Sequence, residues 1–357
     1  MKIAKHKMNK EGSAGMRLGI DRQTLLLLII FIVLVVGFGI FEDGFLTQRS
    51  IFSMAFQLPE IGLLSYAMML PYLVGGINLS INASSNLSAL IGAFFLLKFM
   101  PLLNLPDIPA LQIGGVFVVA ILVGIAAGLF NGILVGYINA PPILATLASM
   151  AFFTGISVGL TKGSTITGFP QSISLISNTS FLGFPTPFLI FIGVTILLMI
   201  LLNKSSFGFK LKLLGTNPVA SQFTGIENKR MIVLYFVFSG ILSAIAGIMI
   251  MSRTMSASYQ YGIRTYVLLT ILINVLAGIA AGSGKVINVF ITVFILQVIS
   301  TGFHMLLVGM RGSSFFKDFV WGLLLIFIFI VNYYTRNKGT EKVDLLGLFK
   351  KGKSVHE

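Results

Sequence analysis

The sequence predicts an all-α polytopic membrane protein with about ten transmembrane helices. Three observations predict this fold class: 56% of the 357 residues are hydrophobic, only 10% are charged, and apolar stretches recur along the chain. The mean hydropathy of +0.96 is far above that of an average water-soluble domain. A helix needs about 20 residues to cross a hydrocarbon layer about 30 Å thick, and the apolar stretches approach or exceed that length.

Each predicted span is an apolar stretch bounded by polar, Gly or Pro residues. We predict ten of them, at residues 24–41, 58–76, 82–99, 112–137, 142–160, 187–203, 231–252, 264–282, 286–308 and 314–334.

The basic residues cluster at three places. Six lie in residues 1–23, five in residues 203–230 and six after Tyr334. Because Lys and Arg mark the cytoplasmic side of a multi-pass protein, we predict that both termini and the 203–230 loop are cytoplasmic. The chain then divides into a basic tail (1–23), a transmembrane domain (24–335) and a second basic tail (336–357). The tails lack interleaved aromatic residues, so we predict no nucleic-acid partner.

Several kinds of site are excluded by residue type. The chain has no cysteine, which excludes disulfides, thiolate metal sites and cysteine nucleophiles. The string Gly282-Ser283-Gly284-Lys285 resembles part of a phosphate-binding loop, but Ile279 stands where that loop needs glycine and Val286 where it needs a hydroxyl. We therefore predict no catalytic residues, no metal and no cofactor in this chain, and no ATPase site of its own.

Ionisable groups that would couple transport to an ion gradient are almost absent from the spans. Proton- and sodium-coupled carriers keep Asp, Glu or His within the membrane. Of the eleven acidic residues, Glu60 lies at the start of a predicted span and Asp318 near the end of another. This scarcity predicts that the energy for any transport comes from elsewhere.

Two polar features are candidates for a solute passage. Residues 75–88 are rich in Asn, Ser and Gly and have no Lys or Arg, although they join two spans on the predicted cytoplasmic side. Polar backbone at membrane depth is tolerated where it is buried in protein or lines a water-filled cavity. Two interpretations remain open: a plain polar turn, or the lining of a passage. In the second, the side chains that would hydrogen-bond a hydroxyl-rich solute are Asn78, Ser80, Asn82 and Asn86.

A glycine stripe marks one predicted span. Its members repeat every four residues, at Gly124, Gly128, Gly132 and Gly136, and we predict that another helix packs closely against them. Asn131 lies beside this stripe, where its amide either bonds a neighbouring helix or faces the passage.

The basic loop at 204–230 mixes apolar and basic residues with Gly and Pro. Such a segment either lies on the membrane surface or docks into another protein. Periodicity alone leaves both interpretations open.

Several short motifs resemble those of the permease subunits of simple-sugar ABC importers, which include the ribose and autoinducer-2 permeases. The resemblance covers residues 45–335, in the same order and spacing. Its motifs are Gly75 to Ser80, Asn131-Gly132, Ala145-Thr146-Leu147 after Pro142, Phe207-Gly208, Gly215-Thr216-Asn217, Ala220, Gly225-Ile226, Ser239-Gly240 and Ala246-Gly247.

The resemblance implies an ABC importer permease fold that moves a simple sugar or sugar-like solute into the cell by alternating access. It implies a multi-pass location in a bacterial cell (inner) membrane, in contact with membrane lipid. The implied partners are an ABC ATPase, as a subunit or a tandem protein, which binds ATP and magnesium, and an extracytoplasmic solute-binding protein. The ATPase-coupling residues that it implies are Phe207, Gly208, Gly215, Thr216, Asn217, Ala220, Gly225 and Ile226.

Three acids common in the family are missing. Asn78 stands in place of an aspartate, and Tyr266-Val267-Leu268-Leu269 in place of a Tyr-Glu-Leu-Asp run. The resemblance implies a second permease subunit, identical or a paralogue, and these differences predict a diverged permease that works beside a non-identical partner. A stand-alone channel or facilitator for a small neutral solute is the alternative, but it leaves the docking-like loop unexplained.

Overall fold

The computed structural model describes residues 21–103, 106, 108–181, 183–262 and 265–307, together with residues 319, 321–323 and 326. Arg22 is described by its backbone only. The predicted N-terminal tail up to residue 20, most of the predicted span 314–334 and the C-terminal tail lie outside the described residues.

The described chain is a helical bundle with one short β-hairpin. A π-helical turn, Phe95–Phe99, joins α3 (Ile81–Phe94) to α4 (Met100–Leu102). The hairpin pairs β1 (Ser180–Phe181) with β2 (Phe184–Pro185) in antiparallel register. The helices are α1 (Arg22–Phe41), α2 (Gln48–Tyr72), α3 (Ile81–Phe94), α4 (Met100–Leu102), α5 (Pro109–Gly136), α6 (Pro142–Thr161), α7 (Gln171–Asn178), α8 (Thr186–Lys204), α9 (Ser206–Thr216), α10 (Pro218–Phe223), α11 (Asn228–Thr254), α12 (Tyr266–Leu276) and α13 (Val286–Leu306).

Nine of the ten predicted spans have a helix in the described part of the chain. Within those ranges, seven helices are long and apolar enough to cross a membrane. The other two are α2, which has 25 residues, and α12, which has only 11. The polytopic all-α prediction is therefore confirmed.

Two predicted boundaries were wrong. The span predicted at 58–76 is part of α2, which begins at Gln48 and ends at Tyr72. The span predicted at 264–282 contains α12, which ends at Leu276, because the backbone turns at Gly278 with a positive φ of 68°. Apolar residues continue past that turn, and Ile279 is buried.

Helix α2 is the centre of the bundle, and nearly all its residues from Leu58 onward are buried. Polar side chains tie it to three neighbours. The Tyr66 and Thr195 hydroxyls are 2.9 Å apart, and Thr195 is on α8. Asn274 on α12 donates to the Ser65 carbonyl at 3.0 Å, and Ser239 on α11 donates to the Ala67 carbonyl at 2.7 Å. These bonds fix the helix that leads into the polar run.

The glycine stripe brings α5 and α11 together, as predicted. A Cβ on Gly128 would lie 2.6 Å from the Cα of Val237, and one on Gly132 would lie 2.7 Å from the Cα of Val233. Real Cβ atoms do not approach backbone this closely, so only glycine permits the packing. Gly240 on α11 faces Gly124 in the same manner.

Large apolar side chains are exposed along α1, α5, α6 and α8. Val33, Val118, Leu144 and Leu197 are among them. A helix with such a face requires a lipid environment, because a soluble monomer rarely exposes contiguous apolar area of this extent.

Candidate functional site

The polar run begins where α2 ends. Pro71 and Tyr72 carbonyls accept hydrogen bonds from the amides of Gly76 and Gly75, and Gly75 has a positive φ of 83° that favours glycine. Asn78 and Ser80 are both buried, which shows that the chain turns inside the bundle after Gly76. The absence of basic residues here is explained by this burial.

Asn78, Ser80 and Asn131 form one hydrogen-bonded cluster with Ser239. Asn78 donates to the Ser239 hydroxyl at 3.1 Å, and the Ser80 hydroxyl donates to Asn78 Oδ1 at 2.8 Å. Asn131 on α5 donates to the Ser80 hydroxyl at 2.8 Å. The structure therefore brings together three of the five predicted passage residues and connects them to α11.

Asn82 and Asn86 lie on α3 and hold a different segment. Asn82 donates to the Tyr261 carbonyl at 2.7 Å, and Asn86 donates to the Tyr259 and Tyr261 carbonyls at 2.9 Å each. The connection between α11 and α12 is thus folded back against α3. The two side-chain amides thus fix the partly exposed backbone at Tyr259 and Tyr261 to α3.

Several polar atoms near this cluster have no hydrogen-bond partner among the described residues. They are Asn82 Oδ1, Asn131 Oδ1 and the hydroxyls of Ser84, Ser85 and Ser88. Buried polar groups cost free energy unless they are paired. Each of these atoms therefore has hydrogen-bonding capacity that is not used in this conformation.

A buried ion pair lies elsewhere in the bundle and was missed by the sequence analysis. Arg253, at the end of α11, contacts Glu60 on α2 through Nε and through Nη2, the latter at 3.0 Å. The Tyr266 hydroxyl donates to Glu60 Oε2 at 3.4 Å. The predicted span 231–252 ends one residue before Arg253, whereas α11 continues to Thr254. The sequence therefore did not indicate Arg253 as an intramembrane partner for Glu60.

The ion pair borders a cavity of about 140 Å³. Its walls come from α2, α11, α12 and α13, with Trp321. The polar groups that line it are Gln57, Glu60, Arg253, Tyr266, Gln297 and Ser300. None of the five predicted passage residues is among its lining residues.

The predicted coupling segment, residues 204–230, contains helices α9 and α10. The Asn217 side chain caps α10 by accepting from the amides of Val219 and Ala220, both at 3.0 Å. A Cβ on Gly215 would collide with the Leu73 carbonyl and lie 2.5 Å from the Gly282 amide nitrogen. The end of α9 therefore packs directly on the turn that follows α2.

Leu73 also connects this end of the bundle to the string at 282–285. The Gly282 amide donates to the Leu73 carbonyl at 2.8 Å, and Thr216 lies against Gly282. Lys285 pairs with Asp21 at 3.4 Å. The string thus forms a packed turn, as its departures from a phosphate-binding loop predict.

The residues predicted for coupling differ in where they face. Phe207 packs edge-on against Phe238 on α11 at a centroid distance of 5.0 Å, and Gly208 and Ile226 are buried. Gly225 has a positive φ of 77°, and a Cβ there would meet nothing within 4 Å. Phe207, Gly208, Gly215 and Ile226 thus hold the segment to the bundle rather than present a free surface.

Three apolar side chains project from the same segment. Phe223 is 88% exposed, and Phe209 and Val219 are also largely exposed. The sequence analysis did not select them, although the buried positions Gly208, Leu211 and Leu214 recur at helical spacing and leave Phe209 on the opposite face. Aromatic residues are enriched at protein–protein interfaces relative to the rest of the surface.

No group of three or more His, Cys, Asp or Glu residues that could hold a metal occurs within the described ranges.

The sequence profile of the family described as "Branched-chain amino acid transport system / permease component" matches residues 50–329. This chain belongs to that family. It is therefore a multi-pass membrane protein and the permease component of a transport system. The family match favours this function over a stand-alone channel.

Curated relatives cover most of the chain. The ribose import permease protein RbsC of Bacillus subtilis (strain 168) is 29% identical over 82% of this chain and 88% of its own length. The D-allose transport system permease protein AlsC of Escherichia coli (strain K12) is 28% identical over 86% and 90%. The autoinducer 2 import system permease protein LsrD of Enterobacter sp. (strain 638) is 26% identical over 84% and 89%. No solved structure matches the chain.

Proposed function

We propose that this chain is the membrane-spanning subunit of an ABC importer that carries a simple sugar or sugar-like solute into a bacterial cell. The observation that carries the proposal is the family match over residues 50–329, together with relatives named for ribose, D-allose and autoinducer 2. The polar groups of the cluster formed by Asn78, Ser80 and Asn131 are amides and hydroxyls, which suit a neutral hydroxylated solute.

The partner ATPase docks on α9 and α10 in this proposal. Phe209, Val219 and Phe223 supply an exposed apolar surface, and Gly215 connects that surface to Leu73 at the end of α2. Movement imposed on α9 would therefore reach the segment that contains Asn78 and Ser80. ATP and magnesium belong to the partner.

The passage residues act in the alternating-access cycle. Asn78, Ser80 and Asn131 are closed into one cluster here, and a shift of α3 or α5 relative to α11 would open their amides and hydroxyls to solute. Asn78→Leu removes an amide from this cluster and should reduce uptake without preventing membrane insertion. Normal uptake by that variant would limit the run to a structural role.

We also propose that both termini are cytoplasmic, on the evidence of the three basic clusters. Reporter fusions at Lys10 and Lys338 should report the same, cytoplasmic side. The remaining proposed partners are an extracytoplasmic solute-binding protein, a second permease subunit and membrane lipid.

The substrate class is tested by a competition between two kinds of solute. The chain is assembled with its ATPase and binding protein in vesicles, which are offered ribose, D-allose, D-galactose and, separately, branched-chain amino acids. The proposal expects ATP-dependent uptake of a sugar. Uptake of leucine or valine and none of the sugars would contradict it.

A further inference from the structure

The cavity beside Glu60 and Arg253 lies where the middle of α2 meets the end of α11 and the start of α12. Glu60 is the middle residue of α2, twelve residues from either end, so about 18 Å of helix separates it from each end. The cavity is separate from the Asn78, Ser80 and Asn131 cluster. It is therefore a second polar region, with walls from four described helices.

The volume of the cavity matches one small ring. An apolar cavity of about 150 Å³ engineered into another protein binds benzene, which is a six-membered ring. The cavity here has a volume of about 140 Å³. Benzene has six heavy atoms, so the cavity has room for the ring atoms of one monosaccharide, whose hydroxyl groups would reach towards the partly exposed Arg253 side chain, and no room for a second ring.

The cavity lining offers both donors and acceptors. Glu60 accepts hydrogen bonds, the guanidinium of Arg253 donates them, and the two amides and two hydroxyls of Gln57, Gln297, Tyr266 and Ser300 do both. The bonds found for Arg253 use Nε and Nη2, and Nη1 makes none with the residues that the structure describes. Its side chain is 30% exposed, against 4% for Glu60. The guanidinium therefore has a donor left for a bound solute.

The charge of the lining selects for a neutral ligand. Glu60 and Arg253 neutralise each other, so an ion bound beside them would be a buried charge without a partner. A hydroxyl group is both donor and acceptor and can bond to either member of the pair. Leu269, Val293 and Leu296 supply apolar surface for the C–H groups of a ring.

We infer that this cavity is a binding site for one neutral monosaccharide or a polyol of similar size. The inference rests on the proposed function, and it assigns to Arg253, Gln297 and Ser300 a direct contact with solute. The Glu60 carboxylate orients the guanidinium through its two bonds.

The absence of cysteine from the chain allows a direct test. Because none of the 357 residues is cysteine, Ser300→Cys places a single thiol at the cavity wall. Ser258→Cys places one outside the cavity, and both serines are 7% exposed. The rate of thiol labelling is measured on the assembled importer with D-ribose, D-allose or D-galactose as the probe. Ribose 5-phosphate serves as the charged control.

A bound probe should slow labelling of the Ser300→Cys variant by the factor 1 + [L]/Kd, about tenfold at nine times the dissociation constant. Labelling of the Ser258→Cys variant should not change, and ribose 5-phosphate should protect neither thiol. Adding Gln297→Leu to Ser300→Cys should abolish the protection, whereas adding Gln112→Leu, which removes an equally buried amide outside the cavity, should retain it.

The outcomes separate this inference from the proposed function. If the importer takes up one of the three sugars and that sugar does not protect the thiol of the Ser300→Cys variant, the site assignment is wrong and the proposed function stands. If the importer takes up none of them, the proposed sugar function fails first. The inference is supported if the transported sugar protects the thiol of the Ser300→Cys variant, and if Gln297→Leu abolishes that protection whereas Gln112→Leu does not.

Discussion

Arg253, the second-last residue of α11, forms a two-point ion pair with Glu60, the middle residue of α2. The pair joins positions 193 residues apart in the sequence, and Tyr266 on α12 bonds to the same carboxylate. It therefore ties the middle of α2 to the end of α11 and the start of α12. Because an ionisable residue within a membrane span is costly unless it is paired, its presence indicates a structural or functional role.

Removing one member of this pair should destabilise the protein strongly. Glu60→Gln leaves the Arg253 guanidinium partly buried without a counter-charge, and breaking a buried pair costs about 3 kcal/mol or more. The measurement is the thermal stability of the purified full chain in detergent. Glu227→Gln is the control: its pair with Arg230 spans 2.9 Å but is exposed, so that loss should be below about 1 kcal/mol.

Exchanging the two charges tests whether the pair itself matters. Glu60→Arg combined with Arg253→Glu should recover part of the stability that either single change loses. Equal stability for Glu60→Gln and Glu227→Gln would show that the buried pair does not hold the helices.

Adding a methyl group to the glycine stripe should separate α5 from α11. A Cβ on Gly128 would lie 2.6 Å from the Cα of Val237, so Gly128→Ala forces a backbone shift and costs about 1–3 kcal/mol. Gly155→Ala on α6 is the matched control, because a Cβ there meets nothing within 4 Å. Thermal melting of the two variants compares them, and the same melting temperature for both would argue against this packing.

The two glycines of the coupling segment should respond differently to substitution. Gly215→Val places a side chain into the Leu73 carbonyl, so it should cut ATP-dependent uptake by about tenfold or more, equivalent to about 1.4 kcal/mol. Gly225→Val strains only its own backbone, which has a positive φ, and Gly225→Asn should relieve that strain. ATPase co-purification, ATP hydrolysis and uptake are measured for each variant. Normal values for Gly215→Val in all three would remove α9 from the coupling path.

Two phenylalanines should separate docking from folding. Phe223 is 88% exposed, so Phe223→Ser should weaken ATPase co-purification while leaving the melting temperature of the chain unchanged. Phe207 packs on Phe238, so Phe207→Ala should lower the melting temperature instead.

A membrane-surface helix would depend on Lys210 and Lys212, and Lys210→Glu with Lys212→Glu would then release the segment from anionic vesicles. That release, with normal docking of Phe223→Ser, would favour the lipid interpretation.

The span pattern and the glycine stripe were predictable because they depend on local periodicity. Gly124 to Gly136 recur every four residues, which places them on one helical face whatever the partner is. The length of α12 was not predictable from apolar composition. The helix ends before the turn at Gly278, but the chain remains apolar after that turn, where Ile279 is buried, so composition gives no sign of the end. Buried loops and helices share a composition inside a membrane protein.

The candidate site was predictable only in part. Asn78, Ser80 and Asn131 were selected, and they do meet in one cluster, but the groups that hold Asn82 and Asn86 are backbone carbonyls of Tyr259 and Tyr261, which leave no mark in the sequence. Glu60 and Arg253 are distant in the chain, so no local pattern connects them. In the coupling segment, four of the eight predicted residues pack against the bundle. The exposed Phe209 and Phe223 were identified only from the geometry.

The energy source of transport tests the central claim most directly. Vesicles that contain this chain alone are compared with vesicles that also contain its ATPase and binding protein, under an imposed proton gradient and with ATP. We predict uphill uptake of a sugar only in the complete system and only with ATP, since the predicted spans hold few of the ionisable groups of an ion-coupled carrier, namely the paired Glu60, His304 and Asp318. Uphill uptake by the chain alone, driven by the proton gradient, would contradict the account.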